Sequence, residues 1–288
     1  MKDPEVGVSL FRNHPRTWQA FRFCYPVISR RSRGLSLGIN LNPDGACNFD
    51  CAYCSVDRRS PAVTKTVDEA ILAEELATLL DQYASAALWS AAPFDRTPSA
   101  LRRLNDIAFS GDGEPTSYAG FSRMVTMAAQ ELDRRGLADV KIVVITNATL
   151  FQRSAVRDTL VSLAARPSEI WAKLDAGTEA WYRMVDRTDV PFQRVLDNLR
   201  DLGRLRPLVI QALFCRIKGE KPSEFELDAW AGRLRDLRDA GARIERVQVY
   251  TTARATAEPW ATALDEQELT AIAARAQALG LQAEVHGS

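Results

Sequence analysis

The sequence predicts an α/β protein, a partial (β/α)6 TIM-type barrel with parallel strands. Three observations carry this expectation. Six short apolar runs recur from Leu35 onward, stretches of helical period lie between them, and the runs lack strict in–out alternation. Strand–helix alternation favours parallel pairing through right-handed crossovers. Apolar runs without alternation suit strands covered on both faces. Spacing alone leaves an open sheet as the alternative, but in either architecture ligands belong at the C-terminal ends of the strands.

The predicted strands are Leu35–Leu41, Asp106–Ser110, Lys141–Thr146, Glu169–Asp175, Leu208–Arg216 and Arg243–Tyr250, each bounded by turn residues. The first helix is expected over Val67–Leu80, where Ile71, Leu72, Leu76, Leu79 and Leu80 form one stripe. Phe121–Leu132 and Ala155–Ala164 follow the same period. Pro191 suits the start of a helix that ends before Gly203. Asp265 with Glu268 is a capping-box variant ahead of Leu269, Ile272 and Leu279, and Gly280 closes that helix. Ser85 to Ser99 reads as an irregular connection. Residues 1–34 are polar, Arg-rich and aperiodic, and are expected as an N-terminal extension packed on a 35–288 core with a C-terminal helix and tail.

Lys plus Arg equals Asp plus Glu at 37 each, so no global charge draws the chain to nucleic acid or an anionic membrane. Locally, Lys2, Arg12, Arg16, Arg22, Arg30, Arg31 and Arg33 crowd the N-terminal segment. They form either a solvated basic strip or a contact for phosphate or RNA. The first residues, MKDPEVGVSL, lack the apolar core of a secretory signal. Apolar runs such as Leu208 to Cys215 fall far short of the ~20 residues that span a bilayer. A cytosolic protein without a membrane partner is expected.

There are five cysteines, and Cys47, Cys51 and Cys54 share one loop directly after the first predicted strand, while Cys24 and Cys215 stand alone. An odd count with a tight cluster points to metal binding in a reduced compartment, not a disulfide framework. Three thiolates in one loop can wrap a compact soft-metal site. An iron–sulfur cluster held this way keeps one iron free of protein ligands and open to a small molecule. The alternative is structural zinc with Cys24, Cys215, His14 or His286 as fourth ligand, although zinc motifs normally come as two ligand pairs.

The C-x3-C-x2-C loop, Cys47-Asn48-Phe49-Asp50-Cys51-Ala52-Tyr53-Cys54, resembles the signature of the radical S-adenosylmethionine (SAM) superfamily. The resemblance implies a [4Fe–4S] cluster on Cys47, Cys51 and Cys54, with SAM on the open iron through its amino and carboxylate groups. It places Tyr53 beside the cluster, its backbone toward the adenine. The second strand ends in Ser110-Gly111-Asp112-Gly113-Glu114-Pro115-Thr116, similar to the Gly-Gly-Glu-Pro stretch that receives the SAM amino group but with one intervening Asp. By itself this stretch could be a mere turn. The third ends in Thr146-Asn147-Ala148-Thr149, where relatives often carry glycine in place of Ala148. That substitution brings any positive φ there into question. The fourth ends in Lys173-Leu174-Asp175. Alternation puts Lys173 and Asp175 on one face, where they pair with each other or, by resemblance, meet the SAM carboxylate and ribose. Gln211 in the fifth strand is either a satisfied core amide or a ribose contact. The sixth strand, through Val249 and Tyr250, is implied to offer backbone groups to the adenine.

From Leu35 to Thr251 the motif order resembles the branch that holds the wyosine-base synthases of tRNA. That resemblance implies a tRNA or nucleotide substrate and an electron donor such as flavodoxin or ferredoxin. Two features depart from those enzymes. Only Cys24 stands where they carry a second cluster, and Lys218 and Lys221, the late lysines of the core, match no pyruvate-binding motif. A single-cluster relative with a different substrate is therefore expected, without auxiliary clusters or a cobalamin domain. Substrate contacts are expected past the strand ends, from Trp181, Tyr182 and Arg183, from Arg216 and Lys218, and from Arg254 and Trp260. Arginines there suit a phosphate or carboxylate. Cys215 is either a small buried hydrophobe or a radical relay. The competing functional classes are modification of a small metabolite or peptide, and a non-catalytic iron–sulfur or zinc protein.

Overall fold

The computed structural model describes residues 18–287. Arg12, Arg16 and His14 lie outside the described residues. The chain forms two compact units. The first comprises residues to Ala46, Pro61–Val144 and Ala165–Ser168, and the second Cys47–Ser60, Ile145–Ala164 and the chain from Glu169 onward.

In the first unit, β1 (Cys24–Ser29) and β2 (Gly34–Ile39) pair antiparallel, Cys24 opposite Ile39. β2 then runs parallel to β3 (Leu104–Phe109), and β3 runs parallel to the start of β4 (Lys141–Thr146). β1 falls inside the stretch expected as an aperiodic extension. Its order is tertiary in origin, because the buried Glu75 carboxylate accepts the N–H groups of Arg22, Phe23 and Cys24 at 2.7–2.9 Å. Glu75 comes from α1 (Glu69–Ala84). Asp68 caps that helix by accepting from the N–H of Ala70 and Ile71, an interaction worth about 1 kcal/mol. The expected stripe is the buried face, with Leu72, Leu76, Leu79 and Leu80 fully enclosed and Ile71 at its margin. The amphipathic α2 (Phe121–Arg134) buries Phe121, Met124, Val125, Ala128 and Leu132.

In the second unit β5 (Ser168–Lys173), β6 (Leu208–Leu213), β8 (Ile244–Tyr250) and β10 (Ala283–His286) run parallel in that order. The run expected as one strand from Leu208 to Arg216 is two. It breaks at Phe214, whose ring meets Trp230 edge-on at 5.1 Å while its N–H donates to the Tyr250 carbonyl at 2.9 Å. Past the break, β7 (Cys215–Ile217) pairs antiparallel with β9 (Ala261–Ala263). The helices are α3 (Ser154–Ser162), α4 (Glu179–Val185), α5 (Phe192–Leu205), α6 (Glu224–Asp239) and α7 (Glu266–Ala278). α7 carries the full capping box read from Asp265 and Glu268, and Gly280 follows it at φ +79°. Among the described residues, no helix is long and apolar enough to cross a membrane.

Candidate active site

The cysteine loop follows β2 without regular structure of its own, so its backbone groups need partners from elsewhere. The segment at the end of α4 supplies several. Asp50 N–H donates to the Asp186 carbonyl at 3.1 Å, Ala52 N–H to the Val185 carbonyl at 2.8 Å, and the Thr188 hydroxyl to the Asn48 carbonyl at 2.7 Å. Arg187, at φ +48°, reaches back to the Asp50 carbonyl and pairs with the Asp50 and Glu258 carboxylates at 2.9 Å each. Ala257 N–H donates to the Cys54 carbonyl at 2.8 Å. The loop is thus held from several sides before any ligand binds.

None of the three cysteines is in a disulfide, and Cys51 is buried while Cys47 and Cys54 are half-buried. Each of two has a cation beside it. Lys173 Nζ stands 3.1 Å from Cys51 Sγ, and Arg58 Nη1 3.1 Å from Cys54 Sγ. Lys173 also meets Asp175 at 3.3 Å and Asp186 at 3.6 Å, and lies over the rings of Tyr53 and Phe49 at 4.9 and 5.4 Å. Lys173 and Asp175, expected on one face of the strand, thus meet each other in the structure. Asp175 further accepts the Tyr53 hydroxyl and the Leu213 N–H, the latter at 2.8 Å.

Burial pushes the Cys51 thiol well above its ordinary range, with Lys173 opposing the shift. Burial likewise raises Asp186 to about 7, against the pull of Lys173. For Lys173 itself burial pulls the other way, but the surrounding Cys51, Asp175 and Asp186 outweigh it and its pKa rises well above the ordinary value.

Lys173, Gln211 and Gln248 stand in register across β5, β6 and β8. Gln211 and Gln248 are fully buried and share one bond, Gln211 Nε2 to Gln248 Oε1 at 2.9 Å. Gln211 Oε1 and Gln248 Nε2 have no partner among the described residues. Reversing both amides leaves the same result, one donor and one acceptor open. Gln248 escaped the sequence reading, although a lone amide in an apolar strand was the signal that singled out Gln211. Val249 is buried, and the Tyr250 carbonyl already accepts Phe214 N–H.

Asn147 donates to the Asn48 side chain at 2.7 Å and accepts the Thr149 N–H and hydroxyl at 3.1 and 2.7 Å. Ala148 adopts φ +63° and is fully buried. The turn keeps its left-handed residue without glycine because Asn198 of α5 donates to the Ala148 carbonyl at 2.8 Å.

In the first unit, the loop after β3 carries Ser110, Gly111, Asp112, Gly113, Glu114 and Pro115. A side chain at Gly113 would collide with the Ala46 carbonyl, and one at Gly111 with Asn40, so close backbone approach requires both glycines. Asp112 accepts from Asn40 Nδ2 at 2.6 Å, Ser110 meets the Tyr25 hydroxyl at 3.1 Å, and Glu114 caps the Pro115–Ser117 turn through Thr116. The stretch is braced on both sides by these contacts.

The expected substrate contacts do not form one set. Arg183 is engaged by Glu179 at 2.9 Å and the Thr188 carbonyl at 2.5 Å. Arg216 pairs with Glu268 of α7 at 2.7 Å. Lys218, at φ +53°, lies 5.7 Å over the Trp260 ring, and Arg254 is exposed. Tyr182 is buried, stacked on Phe192 at 4.8 Å. The structure does gather Tyr53, Trp181, Tyr250 and Trp260 around an apolar cluster of Ala52, Val185, Leu213, Cys215, Ile217 and Ala261. There burial raises the Cys215 thiol to about 12. Cys24, buried in the first unit, directs its thiol to the Leu72 carbonyl at 3.6 Å.

The donor set fits an iron–sulfur cluster. Three cysteines outside any disulfide lie in one braced loop, with two cations to offset thiolate charge. Among the described residues, no trio of His, Cys, Asp or Glu converges as ligands of one ion would. Ligands on separate irons of a cluster need no such convergence.

No family model matches the chain. It is similar to the GTPase Obg of Brachyspira hyodysenteriae, 25% identical over 252 residues, which cover 85% of this chain and 32% of that protein. It is also similar to UPF0026 protein MJ1312 of Methanocaldococcus jannaschii, 28% identical over 181 residues, 60% of this chain and 47% of that one. The chain thus spans about a third to a half of the length of these curated relatives. Among solved structures, a radical SAM methyltransferase from Sphaerobacter thermophilus superposes with a TM-score of 0.64 at 15% identity, covering 91% of this chain and 68% of that one. TYW1 with a lysine–pyruvate adduct bound gives 0.51 at 16% identity, covering 86% and 74%. The chain shares the fold of these solved structures, in the α/β class with mostly parallel strands expected from the sequence.

Proposed function

We propose that this chain is a radical SAM enzyme that holds one [4Fe–4S] cluster on Cys47, Cys51 and Cys54 and acts on an RNA or nucleotide. The observation that carries the reading is the cysteine trio in one loop, outside any disulfide, braced by the end of α4 and flanked by Lys173 and Arg58, on a fold shared with radical SAM enzymes. When bound, the cluster would supply the electron that cleaves SAM to methionine and a 5′-deoxyadenosyl radical, which takes a hydrogen atom from the substrate.

The chain's own residues bind and orient. Gln211 and Gln248 offer one acceptor and one donor to a polar ligand. Tyr53, Trp181, Tyr250 and Trp260 provide apolar walls that exclude water and quenchers. Flavodoxin or ferredoxin is the proposed electron donor. The likeness to TYW1 and the N-terminal arginines support an RNA or nucleotide substrate. Zero net charge favours the second reading, a small metabolite or peptide. GTP hydrolysis has no support here, because the chain contains no Gly-Lys dipeptide and hence no phosphate-binding P-loop.

The test is anaerobic. Reconstituted protein with SAM and dithionite should release 5′-deoxyadenosine, and Cys51→Ala should not. Full iron and sulfide content without that product would favour a non-catalytic cluster. RNA that co-purifies and is lost on RNase treatment would favour the first substrate class.

A further inference from the structure

We infer that Lys173 is a positioning residue for Cys51, holding its sulfur and raising the reduction potential of the cluster independently of SAM. The inference rests on the enzyme reading above. Its basis is the commitment of the ammonium group. An ammonium has three donors, and Lys173 Nζ has three acceptors around it: Cys51 Sγ at 3.1 Å, Asp175 Oδ2 at 3.3 Å and Asp186 Oδ1 at 3.6 Å.

Both carboxylates are themselves fixed. Asp175 is pinned by Leu213 N–H and the Tyr53 hydroxyl. Asp186 ends α4, where its own carbonyl and that of Val185 receive the loop N–H groups on either side of Cys51. The Phe49 and Tyr53 rings flank the ammonium. The charge therefore stands where the loop needs it before any ligand arrives.

The consequence follows from electrostatics. Lys173 places a cation 3.1 Å from the Cys51 sulfur. Adding an electron makes the site more negative, so the same cation favours the reduced cluster. Charge and hydrogen bonds at the cluster sulfurs are established levers on potential. Asp186, 3.5 Å from the same sulfur, must act in the opposite sense.

The experiment compares wild type, Lys173→Met, Lys173→Arg and Asp186→Asn after anaerobic reconstitution. Iron and sulfide are quantified, and the midpoint potential is followed by electron paramagnetic resonance without SAM. Lys173→Met should become harder to reduce by at least about tenfold in equilibrium constant, ~59 mV for one electron. Lys173→Arg should restore most of that shift, and Asp186→Asn should move the potential upward. The Asp186 variant keeps the test decisive if Lys173→Met does not fold. Unmoved midpoints at full cluster content would overturn the inference alone. So would a Lys173→Met protein altered only in SAM affinity, which would assign the lysine to the SAM carboxylate. A wild type that takes up no iron and sulfide would overturn the enzyme reading and this inference with it.

Discussion

Asn147 Nδ2 donates to Asn48 Oδ1 at 2.7 Å, which ties the turn after β4 to the residue next to Cys47. The same Asn147 organises Thr149, whose hydroxyl accepts from Asn48 Nδ2 at 2.7 Å. Asn147→Ala should therefore loosen the cysteine loop itself. The expected cost is about 1–3 kcal/mol for the buried partners left unpaired, with a clear fall in iron bound per chain after reconstitution. Urea unfolding together with iron analysis checks both. A stable variant with full iron would mean that the loop holds without this tie.

Ala148 is an alanine in a glycine conformation, at φ +63°. A left-handed alanine costs about 1–2 kcal/mol, whereas glycine adds about 0.5–1 kcal/mol of unfolded-state entropy. Ala148→Gly should fall within about 1 kcal/mol of wild type. A β-branched side chain tolerates that backbone poorly, and the site is fully buried, so Ala148→Val should lose more than ~2 kcal/mol. Equal urea midpoints for Val and Gly would show that the turn relaxes.

Glu226 accepts Gly177 N–H at 2.5 Å and the Thr178 hydroxyl at 2.6 Å. Burial raises its pKa above the ordinary 4.5, with those hydrogen bonds opposing. As pH climbs past 4.5 the unfolded chain releases its proton before the folded one does. The folded state then binds more protons, and stability falls with rising pH until folded Glu226 ionises too. Glu226→Gln should flatten that part of the profile, read from unfolding midpoints across the acidic range. An unchanged slope would assign it to other groups.

Trp230 of α6 is fully buried, donates from Nε1 to the Leu174 carbonyl at 3.0 Å and packs on Phe214. Leu174 sits between Lys173 and Asp175. Trp230→Ala should cost about 3–5 kcal/mol by cavity formation. The milder Trp230→Phe keeps most of the packing but leaves the carbonyl unpaired, at about 1–3 kcal/mol. Calorimetry should place Phe between wild type and Ala, and a Phe variant as stable as wild type would discount the hydrogen bond.

The sequence by itself determined the α/β class, the strand positions from Leu35 apart from the break at Phe214, the Asp265–Glu268 cap and the cysteine loop. Each of these is written in neighbouring residues: a period, a cap spacing, a cluster of thiols. It also singled out Lys173, Asp175 and Gln211, since a charge or amide in an apolar strand must find a partner. Only the tertiary structure decided who the partners are. Asp186, 135 residues beyond Cys51, has no local signal, yet it closes the charged group around that thiol. Arg58 carries no local signal either, and the fold sets it on Cys54. β1, β7 and β9 were hidden for a related reason. β7 and β9 are short, and long-range hydrogen bonds order all three more than their own pattern does, including Glu75 at β1 and the β7–β9 pairing past the Phe214 break. Periodicity and capping are short-range physics, legible along the chain. Charge pairing and strand closure act through space, and their outcome exists only once the chain has folded.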